Sequence, residues 1–331
     1  CEVDGDVRVN GTALSVSVVV PASRSERREW RIRPYARRSV HNIRKNYFHD
    51  FTDVLVPLFA ASRRYGGEVQ FLVSNIVKPR WLGKYGALLR RLSRYEVVAV
   101  DGDAHVRCFR HVSVGIRIDK LFSIVPESGL SMADFTAFLR ETYALPRSAA
   151  VNLAREPDRK PRLLLIRRGH YRRLVNEEEV ARAAEAAGFE ATVAELRGDA
   201  AVAEQARAVN AFDVLLGVHG AGLTNAVFLP RGAVLVQVVP YGRMDHIAAS
   251  EFGEPAADMG LKYIGYSVSA EESTLLEALG PDHPAIRDPD SVHRSGWDKV
   301  DEIYLRKQDV RVNVTRFAPT LAQAFQHLRG Q

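Results

Sequence analysis

Val214-Leu215-Leu216-Gly217-Val218 leads into His219-Gly220-Ala221-Gly222-Leu223-Thr224-Asn225, and Ala226-Val227-Phe228-Leu229 follows. A short apolar run, a glycine-rich turn and a fresh helical start make a strand-to-helix junction. Glycine lets the backbone approach a ligand, while a helix start offers unpaired N–H groups and the positive end of a dipole; together they suit a phosphate. Taken alone, the same glycines would equally serve a tight turn with His219 packed inside.

The pattern around this junction is regular. It predicts strands at 163–166, 191–196, 214–218, 234–239 and 263–268, alternating with helices at 177–187, 200–212, 225–229 and 247–259. Such alternation implies a parallel, doubly wound α/β sheet with ligands at the carboxyl ends of its strands. Arg167-Arg168-Gly169-His170-Tyr171-Arg172-Arg173 follows the first of these strands and so reaches the same edge, where planar guanidinium forks suit a diphosphate. The G-x-G-x-x-G fingerprint and the Walker motif are both absent, which disfavours a nicotinamide enzyme and a P-loop enzyme.

The first half is less regular. Asn10-Gly11 between Val7-Arg8-Val9 and Ser15 to Val20 reads as a hairpin turn, and 22–45 is arginine-dense. A helix is expected over 48–65, with Phe51, Val54, Leu55, Leu58 and Phe59 on one stripe. Strands at 69–77 and 97–100 flank a basic amphipathic helix at 82–94, and Ser131 caps a helix from Met132 to Tyr143. The stretch 280–316 reads as connection, and 317–328 as a final amphipathic helix.

At 331 residues the chain has room for two domains. No apolar run is long enough to span a membrane, and the chain opens on Cys1 without a signal-like segment, so it reads as a piece of a longer protein. The net charge of +6 comes almost wholly from arginine, which implies an anionic ligand; no nucleic-acid module is present, and nucleic acid is not expected as a partner. Cys1 and Cys108 are too few for a disulfide framework or a cysteine zinc site. Asp101-Gly102-Asp103 follows a strand and reads as a β-turn, so no metal site is expected. Two sequons, Asn10-Gly11-Thr12 and Asn313-Val314-Thr315, are compatible with the secretory pathway.

Several stretches in combination resemble plant glycosyltransferase family 61, in particular the grass xylan arabinosyl- and xylosyltransferases. They are His219 to Asn225 with Phe228-Leu229-Pro230, Arg168-Gly169-His170-Tyr171-Arg172 ending in Asn176, Asn46-Tyr47-Phe48-His49-Asp50-Phe51, and Gln308-Asp309-Val310-Arg311-Val312. The resemblance covers nearly the whole chain. It implies a GT-B architecture of two Rossmann-like domains facing a cleft. The first would be an acceptor-side domain at 1–145 and the second a nucleotide-sugar domain at 146–316, with the C-terminal helix 317–331 packing back on the first. The implied activity is inverting transfer of arabinofuranose or xylose from a UDP-sugar, with no cofactor, to xylan, by a type II membrane protein of the Golgi lumen whose anchor lies outside these residues.

By the same resemblance, His219, Gly220, Ala221, Gly222 and Asn225 match the family's glycine motif at the donor nucleotide, and Arg168, Arg172 and Asn176 its arginine motif. Arg167 stands where the family usually has serine, and Arg44-Lys45 runs straight into Asn46, where a strand and a glycine-rich turn are usual. Inverting transfer needs a base for the acceptor hydroxyl, and a UDP leaving group needs cationic stabilisation. Asp50 and His49 are the candidates for the base, Asp50 first, with Asp53 next; Glu251 would accept ribose hydroxyls and Tyr241 would stack on uracil.

Overall fold

The structure is a computed structural model and describes residues 2–10, 15–19, 29–31, 46–73, 79–101, 103–115 and 120–330. The chain divides into two compact units, 1–119 and 120–331.

In the first unit β1 (Glu2–Asn10), β2 (Ser15–Val19), β3 (Glu29–Arg31) and β6 (Val106–Ser113) form an antiparallel sheet in the order β3-β2-β1-β6. The expected hairpin is there, with Asn10 opposite Ser15, while its Gly11 turn lies outside the described residues. A parallel pair, β4 (Leu72–Val73) and β5 (Val98–Ala99), is the remnant of the strands expected at 69–77 and 97–100. Among the described residues this unit is therefore largely antiparallel and does not repeat the doubly wound pattern expected of a first Rossmann-like domain. The arginine-dense stretch 22–45 lies, apart from 29–31, outside the described residues.

Two helices build the apolar centre of this unit. One runs Tyr47–His49, continues as a π-helical turn over Asp50–Leu55 and ends as Val56–Ser62; the other is Pro79–Leu92. Pro57 has no N–H for the carbonyl of Asp53, so the α ladder is broken at the π turn. Phe51, Leu55, Phe59, Tyr85 and Leu88 are buried, with Phe51 and Tyr85 edge to face at 6.1 Å. Cys108 is an exposed free thiol on β6, and Cys1 lies outside the described residues.

The second unit carries the doubly wound sheet: β7 (Arg162–Arg167), β8 (Glu190–Glu195), β9 (Val214–Val218), β10 (Val234–Val239) and β11 (Lys262–Ser267), in the order β11-β10-β9-β7-β8. Every pairing is parallel. Every residue of β9 and β10 is buried, as expected for central strands covered on both faces. Helix Glu177–Ala186 packs with the last helix, Val314–Arg329, on one side; helices Val202–Asn210 and Met132–Tyr143 pack together elsewhere. Met132–Tyr143 thus belongs to the second unit, and the last helix packs on β10, β11 and Glu177–Ala186 of that same unit. The stretch 280–316 is not mere connection but holds short helices, two of them opened by Pro284 and Pro289 at positions where a missing N–H costs nothing. Among the described residues no helix is long and apolar enough to cross a membrane.

The amino edge of this sheet is stapled by Asp213, which is fully buried. Its carboxylate accepts the N–H of Val151 and of Arg162, each at 2.9 Å, and pairs with the Arg147 guanidinium. Asn210 adds its own side-chain amide, given to the carbonyls of Arg147 and Phe228 at 3.0 Å. Removing the carboxylate strands three buried or half-buried donors. Asp213→Ala is therefore expected to lower unfolding free energy by about 3 to 5 kcal/mol in urea titrations; a loss below about 1 kcal/mol would show that the staple is idle.

Candidate functional site

In the second sheet β8 lies on one side of β7, and β9 and then β10 on the other, so the order in which strands are added reverses between β7 and β9. The crevice outside the carboxyl ends of those two strands is the general ligand position of such a sheet. The arginine loop leaves β7 there, and His219-Gly220 leaves β9.

The arginine loop is held in an unusual backbone. Tyr171 and Arg172 are consecutive left-handed residues, with φ of 46° and 55°. A distant segment, 308–312, pins them. Arg172 N–H donates to Gln308 O at 2.8 Å, and Val310 N–H to Arg173 O at 2.8 Å. The Arg173 guanidinium grips Asp309 Oδ2 through Nε and Nη2 at 2.9 and 2.6 Å. Gln308 is itself fully bonded in its buried position: Nε2 donates to the carbonyls of Tyr241 and Tyr304, and Oε1 accepts the Ser273 hydroxyl and Tyr241 N–H. A polar cavity of about 270 Å³ opens beside the loop among Tyr171, Arg173, Arg306 and Asp309.

Arg168 and Arg172 rest together on Gly220. A Cβ at Gly220 would lie 2.6 Å from Arg168 Nη1 and 3.2 Å from Arg172 Nη2, and the residue has φ of 141°. Arg168 Nε donates to Tyr171 O at 2.9 Å, and Arg172 Nε is buried without a hydrogen-bond partner. Burial lowers the pKa of Arg168; burial and then the Arg168 charge push Arg172 down to about 9. Two cations share a crevice, and no carboxylate hydrogen-bonds either of them among the described residues. Gly222 does a different job, since a Cβ there would stand 3.3 Å from Ile166 of β7.

His219 is 3% exposed. Its N–H continues the ladder to Val238 O at 2.9 Å, its Nδ1 lies 2.7 Å from Gln237 Nε2, and its Nε2 lies 3.7 Å from Glu251 Oε2. The next turn, Ala221–Phe228, is a 3-10 helix rather than the expected α-helix. Asn225 closes that turn on Gly222 O at 3.0 Å, and its Oδ1 and the Thr224 hydroxyl are buried without partners. Glu251 sits on a second π-helical turn, Ala249–Gly253, which again precedes a proline, Pro255.

In the first unit, Asn46 caps the helix start through Phe48 N–H at 3.1 Å. His49 Nδ1 meets Asp53 Oδ2 at 3.0 Å, and the Thr52 hydroxyl donates to Asp53 Oδ1 at 2.6 Å. Asp50 is buried and accepts from Tyr85 Oη at 2.7 Å and Trp81 Nε1 at 3.0 Å, with Lys84 Nζ at 3.7 Å. Asp103, of the Asp101-Gly102-Asp103 turn, is likewise engaged: Arg107 Nε at 2.8 Å, with His105, holds it at about 2.

Residues 47–236 match the family described as Glycosyltransferase 61. The chain belongs to glycosyltransferase family 61. It is similar to a beta-1,2-xylosyltransferase of Oryza sativa subsp. japonica, 39% identical over 385 residues, covering 99% of this chain and 82% of the relative. An alpha-1,3-arabinosyltransferase of the same plant is 38% identical, covering 99% of this chain and 63% of the relative. A xylan glycosyltransferase of Arabidopsis thaliana is 32% identical, covering 85% and 59%. The chain thus spans less than two thirds of the length of the last two relatives.

Against the family's motifs, the structure brings Arg168, Arg172, His219, Gly220 and Glu251 together at one sheet edge, with Ala221, Gly222 and Asn225 forming the turn beneath. Asn176 donates its amide to Val312 O at 2.8 Å and accepts Val312 N–H at 3.0 Å, so it anchors the segment 308–312. Arg167, at the family's serine position, turns away to Glu177 at 2.8 Å. Tyr241 donates its hydroxyl to Ile286 O at 2.7 Å and sets its ring edge to face with Tyr304 at 6.5 Å. Gln308 and Gln237 were not foreseen as site residues; for Gln237 the one signal was an amide inside an otherwise apolar run, and Gln308 entered only as the first residue of the stretch 308–312.

Two outcomes follow from this geometry. A methyl at Gly220 displaces Arg168 and forces a strained φ, so Gly220→Ala should weaken UDP binding at least about tenfold by calorimetry; unchanged affinity would detach the turn from the anion site. Burial, then the charges of Arg172 and Arg168, push His219 down to about 3, against roughly 6.5 unfolded. Between those values only the unfolded chain binds the proton, so stability is lost as pH falls below 6.5. His219→Gln should lose about 2 kcal/mol less than the native chain between pH 7 and pH 5 in urea unfolding; equal losses would show that the native ring protonates freely.

Proposed function

We propose that this chain is an inverting glycosyltransferase that moves a pentose, arabinofuranose or xylose, from a UDP-sugar to a hydroxyl of xylan without a metal ion. The observation that carries the reading is the pair Arg168 and Arg172 lying on Gly220 at the switch of the sheet, with no carboxylate among the described residues hydrogen-bonded to either. A diphosphate is an anion that two neighbouring guanidinium forks can grip, and charge developing on the leaving UDP would be met by groups already in place. Those cations do the electrostatic work that a divalent ion does elsewhere. Pentose and xylan come from the relatives, whose names divide between xylosyl and arabinosyl transfer and include a xylan glycosyltransferase.

The base is assigned to the first unit. Asp50, the first choice from sequence, has both oxygens bonded to Tyr85 and Trp81 in a buried pocket, which suits helix packing rather than proton abstraction. His49 with Asp53 supports the role better. A carboxylate that accepts Nδ1–H orients the imidazole, leaves Nε2 as the basic nitrogen and stabilises the imidazolium that forms. In the transfer, Nε2 takes the acceptor hydroxyl proton as that oxygen bonds to the anomeric carbon, and the C–O bond to UDP breaks with its electrons going to the diphosphate.

Incubation with UDP-arabinofuranose or UDP-xylose and xylo-oligosaccharides should release UDP and add one pentose mass, undiminished by a chelator. Arg168→Ala should raise the UDP dissociation constant at least about tenfold, whereas His49→Ala should cut turnover about 10²- to 10⁴-fold with UDP affinity kept. Donor binding without product from any pentose donor would leave only a nucleotide-sugar binding module on this fold.

A further inference from the structure

We infer that Gln237 and Tyr263 are positioning residues for His219, fixing it as an Nε2–H donor to a phosphoryl oxygen of the donor diphosphate. The inference rests on the nucleotide-sugar reading above.

Gln237 lies in the middle of β10, fully buried, where its neighbours along the strand are valine and leucine. An amide there must find partners at both ends, or its burial costs about 1 to 3 kcal/mol. It finds two. Tyr263 Oη donates to Gln237 Oε1 at 2.8 Å, and Gln237 Nε2 faces His219 Nδ1 at 2.7 Å. With the amide oriented so that Oε1 accepts the Tyr263 hydrogen, its NH₂ faces His219. In that arrangement Nδ1 is the lone-pair nitrogen, and the neutral ring carries its hydrogen on Nε2. Burial pushes Tyr263 up to about 12, which keeps its hydrogen in place.

The sheet makes room for this chain of bonds. Gln237 pairs with Gly217 on β9 and Gly265 on β11. A Cβ on Gly265 would stand 3.1 Å from Tyr263 Oη, and one on Gly253 3.1 Å from its ring. Neither glycine has a positive φ, so neither is required by its backbone conformation. What both allow is the passage of the Tyr263 ring along the strand to reach Gln237. At the other end, Nε2 is flanked by Glu251 at 3.7 Å and the ring by Phe252, edge to face at 5.8 Å. The charged groups acting on the ring are Glu251, Arg168 and Arg172, and the two arginines and burial keep it neutral. A neutral donor fixed beside two cations binds an anion with no proton to lose or gain.

The test uses the whole chain carrying ¹⁵N-histidine, with the His219 signals assigned by their loss in His219→Gln. The native protein should show the neutral Nε2–H tautomer, unchanged between pH 5 and pH 8, and its Nε2 resonance should move when UDP is added. Gln237→Glu sets a carboxylate against Nδ1; the hydrogen should move to Nδ1, the ring should titrate within that window, and UDP should bind at least about tenfold more weakly. Tyr263→Phe frees the amide and should give both tautomers in a protein that folds. A native His219 in the Nδ1–H form, or a tautomer indifferent to both substitutions, overturns the relay. An Nε2 resonance unmoved by bound UDP overturns the donor role. If the native chain binds no UDP, the nucleotide reading fails and the donor role with it, and the tautomer pattern, read without ligand, keeps that failure separate from a failure of the relay.

Discussion

Two guanidinium groups held side by side on Gly220 are the constraint to which the rest of the second unit answers. Like charges a few ångströms apart separate unless the backbone forbids it, and here each is partly desolvated as well. The backbone forbids it through two consecutive left-handed residues, Tyr171 and Arg172, each costing on the order of 1 to 3 kcal/mol. Such a loop keeps its shape only if other bonds over-determine it. The segment 308–312 does so with backbone bonds to Arg172, Arg173 and Val175 and with the Arg173–Asp309 and Asn176–Val312 pairs. A segment more than a hundred residues further along the chain thus holds the shape of the arginine loop.

The sheet separates stability from chemistry by edge. At the amino edge, Asp213 and Asn210 satisfy every group they meet, and charge there is neutralised by Arg147. At the carboxyl edge no carboxylate among the described residues hydrogen-bonds Arg168 or Arg172, and Thr224 Oγ1, Asn225 Oδ1 and Arg172 Nε are buried without partners. Buried unsatisfied groups are uncommon in a folded chain, so the arginine loop and the turn after β9 carry polar capacity that the amino edge does not.

The second unit was largely legible because a parallel sheet covered on both faces must be written in short apolar runs, and β9 and β10 are such runs, read with their observed bounds. The first unit was not. Strand β6 escaped notice because its inward positions include Arg107 and His111 beside Phe109, which breaks the apolar alternation by which a half-buried strand is recognised. The short helices after residue 280 were hidden by their own prolines, which mark helix starts as often as loops. Arg168, Arg172, His219 and Gly220 could be placed from sequence because the strand ends locate them; the role of Asp50 could not, because Trp81 and Tyr85 reach it from another helix. The helix start placed a carboxylate there, and the partners it meets come from a helix some thirty residues away.

The same electrostatics set the range over which the clamp can work. With Arg172 lowered to about 9, both guanidinium groups remain charged at neutral pH, but the margin of an ordinary arginine is gone. An anion between them reverses the two causes of that lowering: it replaces lost solvation with hydrogen bonds and offsets the Arg168 charge. Linkage requires that whatever raises the affinity of Arg172 for its proton is bound more tightly by the protonated form. An anion bound there would therefore bind together with the proton. His219, whose neutral form is kept by the same two charges, has no such dependence on the alkaline side. The two arginines follow β7 and the histidine follows β9, so the fold holds the charged pair and the neutral ring on different strands.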